Sequence, residues 1–463
     1  MPRYDLAISG GHVMTGSGDP MTADLAVTGG KIAAILAAGS SIDADERIDV
    51  TGLVVMPGVI DAHLHLGHGR DIARPRVPAD AAQETAAAAA GGITTFIPYL
   101  MATEPFESIF EDVRAITEAG ARIDFGYHFI ISTEAQLAGV ARYVAEFGAP
   151  TFKVFMNNRG GEGKRLGLPD IDDGFLLRLC EAAASSGGMV CPHPENIEAS
   201  WVLRDRLTKS DPEGRGGLSA WNQSRPPFVE ADAVQRAGLL ARHTGAKLYI
   251  VHTTSAEALK AAERARADGT RIHIETCPHY LTHDVEWVGG DLGKINPPLR
   301  TAFDRAALWD AVANGSIDTI ATDHVHRDAT GKAGGIWAAS PGCPGLETLL
   351  PVMLSEGYHK RGIRLRRISD LLSRNPADLM GLGEAKGRIE IGYDADFAIV
   401  DLSHGWVLEK AGLHTSAGYS IYEGWPLTGQ VVHTVVRGKM VMRDRVLDQA
   451  AVGRGRYLRR KLA

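Results

Sequence analysis

Short apolar runs punctuated by paired glycines fill the first fifty-odd residues: YDLAISGGHVMTG, ADLAVTGGKIAAI and RIDVTGLVVMPG. Alternation at a period of two, with Gly-Gly where a tight turn needs positive φ, predicts β-hairpins. The same texture returns late, in GRIEIGYDADFAIVDL and VVHTVVRGKMVMRDRVL, and predicts one small β-sandwich assembled from both termini. Between these ends the pattern changes. Apolar or β-branched runs at 53–60, 93–98, 123–131, 151–156, 189–193, 247–252, 271–276 and 317–322 predict eight strands. They are separated by Ala/Leu/Glu/Arg-rich helical stretches such as 232–245 and 256–269, the second stopped by Gly269. Alternating β and α segments imply a parallel sheet, and eight of them imply a closed (β/α)₈ TIM barrel. No GxGxxG follows a first strand to support the competing doubly wound sheet. The predicted division is 1–56 for the first part of the sandwich, 57–380 for the barrel, and 381–463 for the rest of the sandwich plus a tail.

Composition narrows the function classes. Hydrophobic residues make up 44% and charged residues 23% of 463, so a large core can form and disorder is excluded. A net charge of −7 lacks the basic field that nucleic-acid binding requires. The one basic cluster, Arg454, Arg456, Arg459, Arg460 and Lys461, reads as a solvated tail or a subunit contact. Four cysteines (Cys180, Cys191, Cys277, Cys343) stand far apart without a CxxC, so neither a disulfide framework nor a cysteine zinc site is expected. The chain starts without the apolar stretch of a signal peptide. Residues 85–103 carry no charge, yet Gly91, Gly92 and Pro98 make them a helix end, a turn and a strand rather than a membrane span. A cytoplasmic protein with no membrane partner is expected.

Functional residues of such a barrel sit where the strands end. The first run leads into VIDAHLH, and residues two apart on a strand face the same way, so His63 and His65 can reach one metal ion. TFKVFM places Lys153 inside an apolar run, MVCPHPEN ends on His193, YIVHTTS on His252, and TIATDHVH on Asp323. Each alone has a plain structural reading: a hydrogen-bonded strand-end histidine, a helix-capping aspartate, a snorkelling lysine. Four histidines and an aspartate converging on one barrel face instead form a set suited to zinc and similar ions. His68, His324 and His326 can line such a site, and His128 and His279 can support it. His12, His404, His414 and His433 fall in the β-rich ends or outside the motifs. The stretch 159–167 (RGGEGKRLG) lacks the spacing of a phosphate loop and reads as a mobile loop over the mouth.

PGVIDAHLH, TFKVFM, CPHPEN, YIVHTTS, ETCPHYL, NPPLR, ATDH and PGLETLLP together resemble the hydantoinase/dihydropyrimidinase branch of the amidohydrolase superfamily, with allantoinases and dihydroorotases as close relatives. The resemblance implies the same barrel and sandwich and a pair of divalent ions, zinc by ligand type. It implies that His63, His65 and Asp323 bind the more buried ion, that His193 and His252 bind the other, and that Lys153, carboxylated at its amine, bridges them. A protonated lysine would repel two cations, whereas a carbamate is anionic and offers two oxygens. The implied reaction opens a cyclic amide or ureide: a hydroxide held between the ions attacks the carbonyl, and Asp323 moves its proton to the leaving nitrogen. A homotetramer or homodimer is implied by analogy. An open-chain amide, carbamate or lactone is the alternative substrate, and a non-catalytic assembly protein the alternative class.

The departures concern substrate reading. Relatives carry Tyr where this chain has Asn158, Asn where it has Pro341, and Ser where it has Asn296. Dihydroorotases carry a carboxylate-gripping Arg where Gly67 stands, and the proline-bearing loop after the aspartate reads His324-Val325-His326-Arg327. A shorter Asn158 that both donates and accepts, with Pro341 lacking an amide, predicts a wider or differently functionalised pocket. Poor turnover of dihydrouracil and unsubstituted hydantoin follows. Arg70, Arg159 and Arg165 are candidates to pair with an acidic substituent, although each reads more simply as a solvated loop arginine.

Overall fold

A computed structural model describes residues 3–16 and 18–463, apart from the side chain of Arg165. Eight parallel strands form a barrel: β1 (Val59–His65), β2 (Ile93–Leu100), β3 (Asp124–Phe125 with His128–Ile130), β4 (Thr151–Phe155), β5 (Met189–His193), β6 (Lys247–Ile250), β7 (Arg271–Thr276) and β8 (Thr319–Ile320 with His324–Val325). The last is split. Thr319–Ile320 pairs with β7, His324–Val325 pairs with β1, and the residues between them close the ring.

Two expected strands are relocated at their ends. The run 53–60 divides at Pro57–Gly58: Val54–Pro57 belongs to the terminal β-region, and the strand bearing both histidines is β1 itself. A Cβ on Gly58 would lie 2.2 Å from the Thr94 hydroxyl oxygen, so the crossing between layers needs glycine there. The run 247–252 stops being a strand at Ile250, because His252 turns into the left-handed region at φ 41°.

Residues 85–103 are the end of the helix Pro78–Ala90, a turn with Gly92 at φ 81°, and β2. Among the described residues no helix is long and apolar enough to cross a membrane.

Strands from both ends of the chain join in a second, ten-stranded sheet. Phe397–Val407 pairs with Val54–Pro57, which in turn lies beside His12–Val13. Leu6, Ile8, Leu25, Val27, Val55, Phe397, Ile399 and Val435 share one buried core, so the N-terminal and C-terminal segments are packed together. Of the C-terminal basic cluster, Arg456, Arg459 and Lys461 are exposed and Arg454 is half-buried, but Arg460 is buried. Leu458 N donates to the Phe125 carbonyl at 2.7 Å, and Arg460 is 2% exposed, reaching Thr151 Oγ1 at 2.8 Å and the Tyr127 and Met380 carbonyls beneath the barrel. Burial of a guanidinium is tolerable there because backbone oxygens replace its water.

Candidate active site

β1 aims His63 and His65 into the barrel. His63 Nδ1 lies 2.6 Å from Glu275 Oε1, so it donates, and the lone pair of Nε2 is left facing inward. That nitrogen sits 3.1 Å from Asp323 Oδ1 and 3.3 Å from Lys153 Nζ, while His65 Nε2 lies 3.9 Å from the same Asp323 oxygen. A second convergence lies beside it. His193 Nε2 donates to Glu195 Oε2 at 2.7 Å, which turns its Nδ1 lone pair toward His252 Nε2, 2.8 Å away. All six side chains are buried, Lys153 being 1% exposed.

Two of these positions are held in the left-handed backbone region that side chains avoid, His252 at φ 41° and Asp323 at φ 47°. Neighbours hold them there. The His252 amide donates to Glu275 Oε1 at 2.9 Å and the Asp323 amide to the His63 carbonyl at 2.8 Å. Asp61 accepts from the Thr322 amide at 3.0 Å and the His63 amide at 3.3 Å, tying β1 to the break in β8.

Electrostatics select for a cation. Burial drives the His65 imidazolium down to about 3 and pulls His193 and His252 below the ordinary range, so these rings are neutral ligands at pH 7. For His63 burial is the largest effect and opposes protonation, but the Glu275 and Asp323 carboxylates together outweigh it and the net shift is upward. Burial pulls Lys153 down to about 8 against the attraction of Asp323 and Glu275. Burial raises Asp323, yet His63, His65 and Lys153 together more than offset this and hold the carboxyl well below the carboxylate range. His63 Nε2 lies 3.1 Å from a carboxylate oxygen, and the His193 and His252 ring nitrogens share a 2.8 Å hydrogen bond. These donor atoms converge where a divalent cation could take the place of the protons between them. The residues fit a metal centre.

The cavity above is lined by Ile72, Phe155, Leu166 and Val325 and by three amide side chains, Asn157, Asn158 and Asn296, with Pro341 and Gly342 completing the wall. Asn157 Oδ1, Asn158 Nδ2 and Asn296 Oδ1 are buried without a protein partner, so the wall offers acceptors and a donor to whatever enters. The loop 159–167 lies across this mouth. It is tethered by Glu162, which accepts from Trp201 Nε1 at 3.3 Å, Arg204 Nη1 at 3.2 Å and Arg225 Nη2 at 3.3 Å. Arg225 continues to Glu195 at 2.8 Å and so to His193. Burial opposes ionisation of Glu195, but Arg225 holds its carboxyl down at about 2.

Other candidates lie elsewhere. His324 faces away, with Nε2 3.1 Å from Glu84 and Nδ1 accepting from the Gly345 amide at 3.1 Å. His128 is bonded to the Ala62 carbonyl at 2.9 Å, and the exposed ring of His68 pairs with Asp80. His279 is buried near Cys343, and His326 is also buried outside this lining. His414 pairs with Glu347. Arg159 is engaged by Asp173 and Glu198, Arg70 bonds Thr330 and pairs with Asp328, and the Arg165 side chain lies outside the described residues. Sequence reasoning missed Glu275, Glu195, Asp61, Asn157 and Arg327. Three of them are carboxylates within the same short motifs, ETCPHYL, CPHPEN and VIDAHLH, where an acidic residue near a ligand histidine was available as a signal.

A parallel barrel with imidazoles and a carboxylate converging at strand ends defines a metal-dependent hydrolase scaffold. The Amidohydrolase family profile matches residues 246–441. The chain is 32% identical to an L-hydantoinase of Paenarthrobacter aurescens over 92% of both chains, and 33% identical to an allantoinase of Escherichia coli O139:H28 over 95% of both. A solved D-hydantoinase structure superposes with a TM-score of 0.89 at 30% identity, covering 99% of each chain. The chain belongs to the hydantoinase branch of the amidohydrolase superfamily.

Proposed function

We propose that this protein is a cyclic amidohydrolase that opens a ring amide or ureide at its non-peptide C–N bond. The observation that carries the reading is the pair of convergences around Lys153, at 3.1 and 2.8 Å, beneath a cavity walled by three unpartnered amides. His63, His65 and Asp323 would hold one divalent ion, His193 and His252 a second, both zinc. Lys153 would bridge them after its neutral amine adds to carbon dioxide and loses a proton. Its lowered pKa supports this reading, because only the unprotonated amine can add. Bound divalent ions supply Lewis acidity to the carbonyl and to water.

The chain's own residues do the rest. Asn158 Nδ2 can donate to a ring carbonyl, while Asn157 Oδ1 and Asn296 Oδ1 can accept from ring N–H groups, the donor–acceptor alternation of a ureide. Asp323, held ionised, accepts the proton of the attacking water and returns it to the departing ring nitrogen. Glu195 and Glu275 keep the ring nitrogens of His193 and His63 turned inward. A homodimer or homotetramer and a cytoplasmic location complete the proposal. They rest on the resemblance and on four free, buried cysteines.

The comparisons do not choose the ring, since L-hydantoinase and allantoinase relatives are 32% and 33% identical. The test is a panel of hydantoin, dihydrouracil, allantoin, dihydroorotate and a simple lactam, with metal content measured in parallel. Chelator-sensitive opening of at least one ureide is expected. A metal-loaded protein that opens none of them, yet cleaves an open-chain amide or a lactone, would replace the reading.

A further inference from the structure

The wall of the metal cavity contains a guanidinium from a position that the metal chemistry does not use, Arg327. Its placement follows from the loop after β1. His68 and Asp71 exchange both backbone hydrogen bonds, at 2.8 and 2.9 Å, so the loop turns back on itself. Gly67 stands at its root, where a Cβ would lie 1.8 Å from the Asp71 carbonyl oxygen. No side chain can project into the cavity from 67. The folded loop instead presents the Arg70 carbonyl, which accepts from Arg327 Nε at 3.1 Å. The side chain is thereby oriented and half-buried in the wall.

The two acidic side chains of the same lining are committed elsewhere. Glu162, which also lines the cavity, is engaged by Arg204, Arg225 and Trp201, and Asp323 belongs to the metal set. A planar guanidinium in a partly desolvated wall matches a carboxylate better than a neutral group, through paired charge-assisted hydrogen bonds. We propose that the ring substrate carries a carboxylate substituent and that Arg327 is the residue that selects it. This rests on the cyclic-amide reading above and assigns the substrate class within it. The amides of Asn157, Asn158 and Asn296 would hold the ring, and Arg327 would hold what projects from it.

The test uses the full-length, zinc-loaded protein and two probes of similar shape, hydantoin-5-acetic acid and its primary amide. The acid should be favoured in kcat/KM by about tenfold or more, the range of a charge-assisted hydrogen bond. Arg327→Gln should bring the acid-to-amide ratio to within about twofold of unity, through the KM of the acid, and Arg327→Lys should leave an intermediate ratio. A wild-type ratio near one, or a ratio unmoved by Arg327→Gln, would overturn the proposal. A brace for the loop alone would lower Tm without changing the ratio. If Arg327→Gln does not fold, Arg327→Lys decides: an acid-to-amide ratio equal to wild type refutes the assignment. Binding of both probes by calorimetry separates the two readings. Tighter binding of the acid, lost on substitution, without ring opening would sustain Arg327 and sink the hydrolase reading. Opening of both rings without discrimination would do the reverse, and neither binding nor opening would sink both.

Discussion

The proposed mechanism gives Asp323 two duties at one carboxylate, metal ligation and proton transfer, on a backbone held at φ 47°. Asp323→Asn keeps the shape but removes the negative charge and the proton acceptor. General acid–base assistance is worth about 10²–10⁴-fold, so kcat should fall by at least that range while circular dichroism stays near wild type. A variant within tenfold of wild type would assign proton transfer to another group, and His324 is a poor substitute because its ring is turned to Glu84. Lys153 is the second decisive residue. Lys153→Ala removes the side chain proposed to bridge the two convergences, so elemental analysis should show at least one ion fewer per chain. Two ions retained at full rate would refute the carbamate bridge.

At the scale of elements, the carboxylates beside the ligands lock strands together. Glu275, in β7, reaches the His63 ring on β1, the Tyr249 hydroxyl on β6 at 2.7 Å and the strained His252 amide. Glu275→Gln keeps the size but removes the charge that fixes the His63 tautomer. Removing such a partner costs about 10–100-fold in metal affinity, readable by competition with a chelator. Unchanged affinity would mean that packing alone orients His63. The loop across the mouth is a coupled element of another kind, since Glu162, Arg225, Glu195 and His193 form one unbroken chain of contacts.

On the scale of the whole molecule, the terminal sheet is joined to the barrel by a buried charge cluster. Lys386, 2% exposed, lies 2.9 Å from Asp124 of β3, 3.0 Å from Asp394 and 2.6 Å from Asp396. Burial disfavours its charge, but Asp396, Asp124 and Asp394 together more than compensate and hold the ammonium well above its usual range. Lys386→Met leaves buried Asp396 without its cation, while Asp124 keeps Arg437 at 3.0 Å and Asp394 keeps Lys31 at 2.6 Å. Breaking a buried pair on one side typically costs about 3–5 kcal/mol. Denaturant unfolding should show that loss, with a lower Tm, and a shift under about 1 kcal/mol would mean that water takes over the role of the lysine.

The barrel and the residues that converge at its strand ends were legible from local pattern, because a parallel strand buried on both faces reads as a continuous apolar run with its polar residues at the end. Motifs such as VIDAHLH, YIVHTTS and ATDH therefore disclosed His63, His65, His252 and Asp323 without any knowledge of their neighbours. What the sequence could not disclose depends on atoms far apart in the chain. The division of 53–60 between two layers is set by the contact of Gly58 with Thr94, and the burial of Arg460 by oxygens of Tyr127 and Thr151 more than three hundred residues earlier. The choice of Arg327 over Arg70 and Arg159 is of the same kind. All three are loop arginines in sequence, and only the closure of the barrel decides which guanidinium faces the cavity and which meet Asp328 or Asp173.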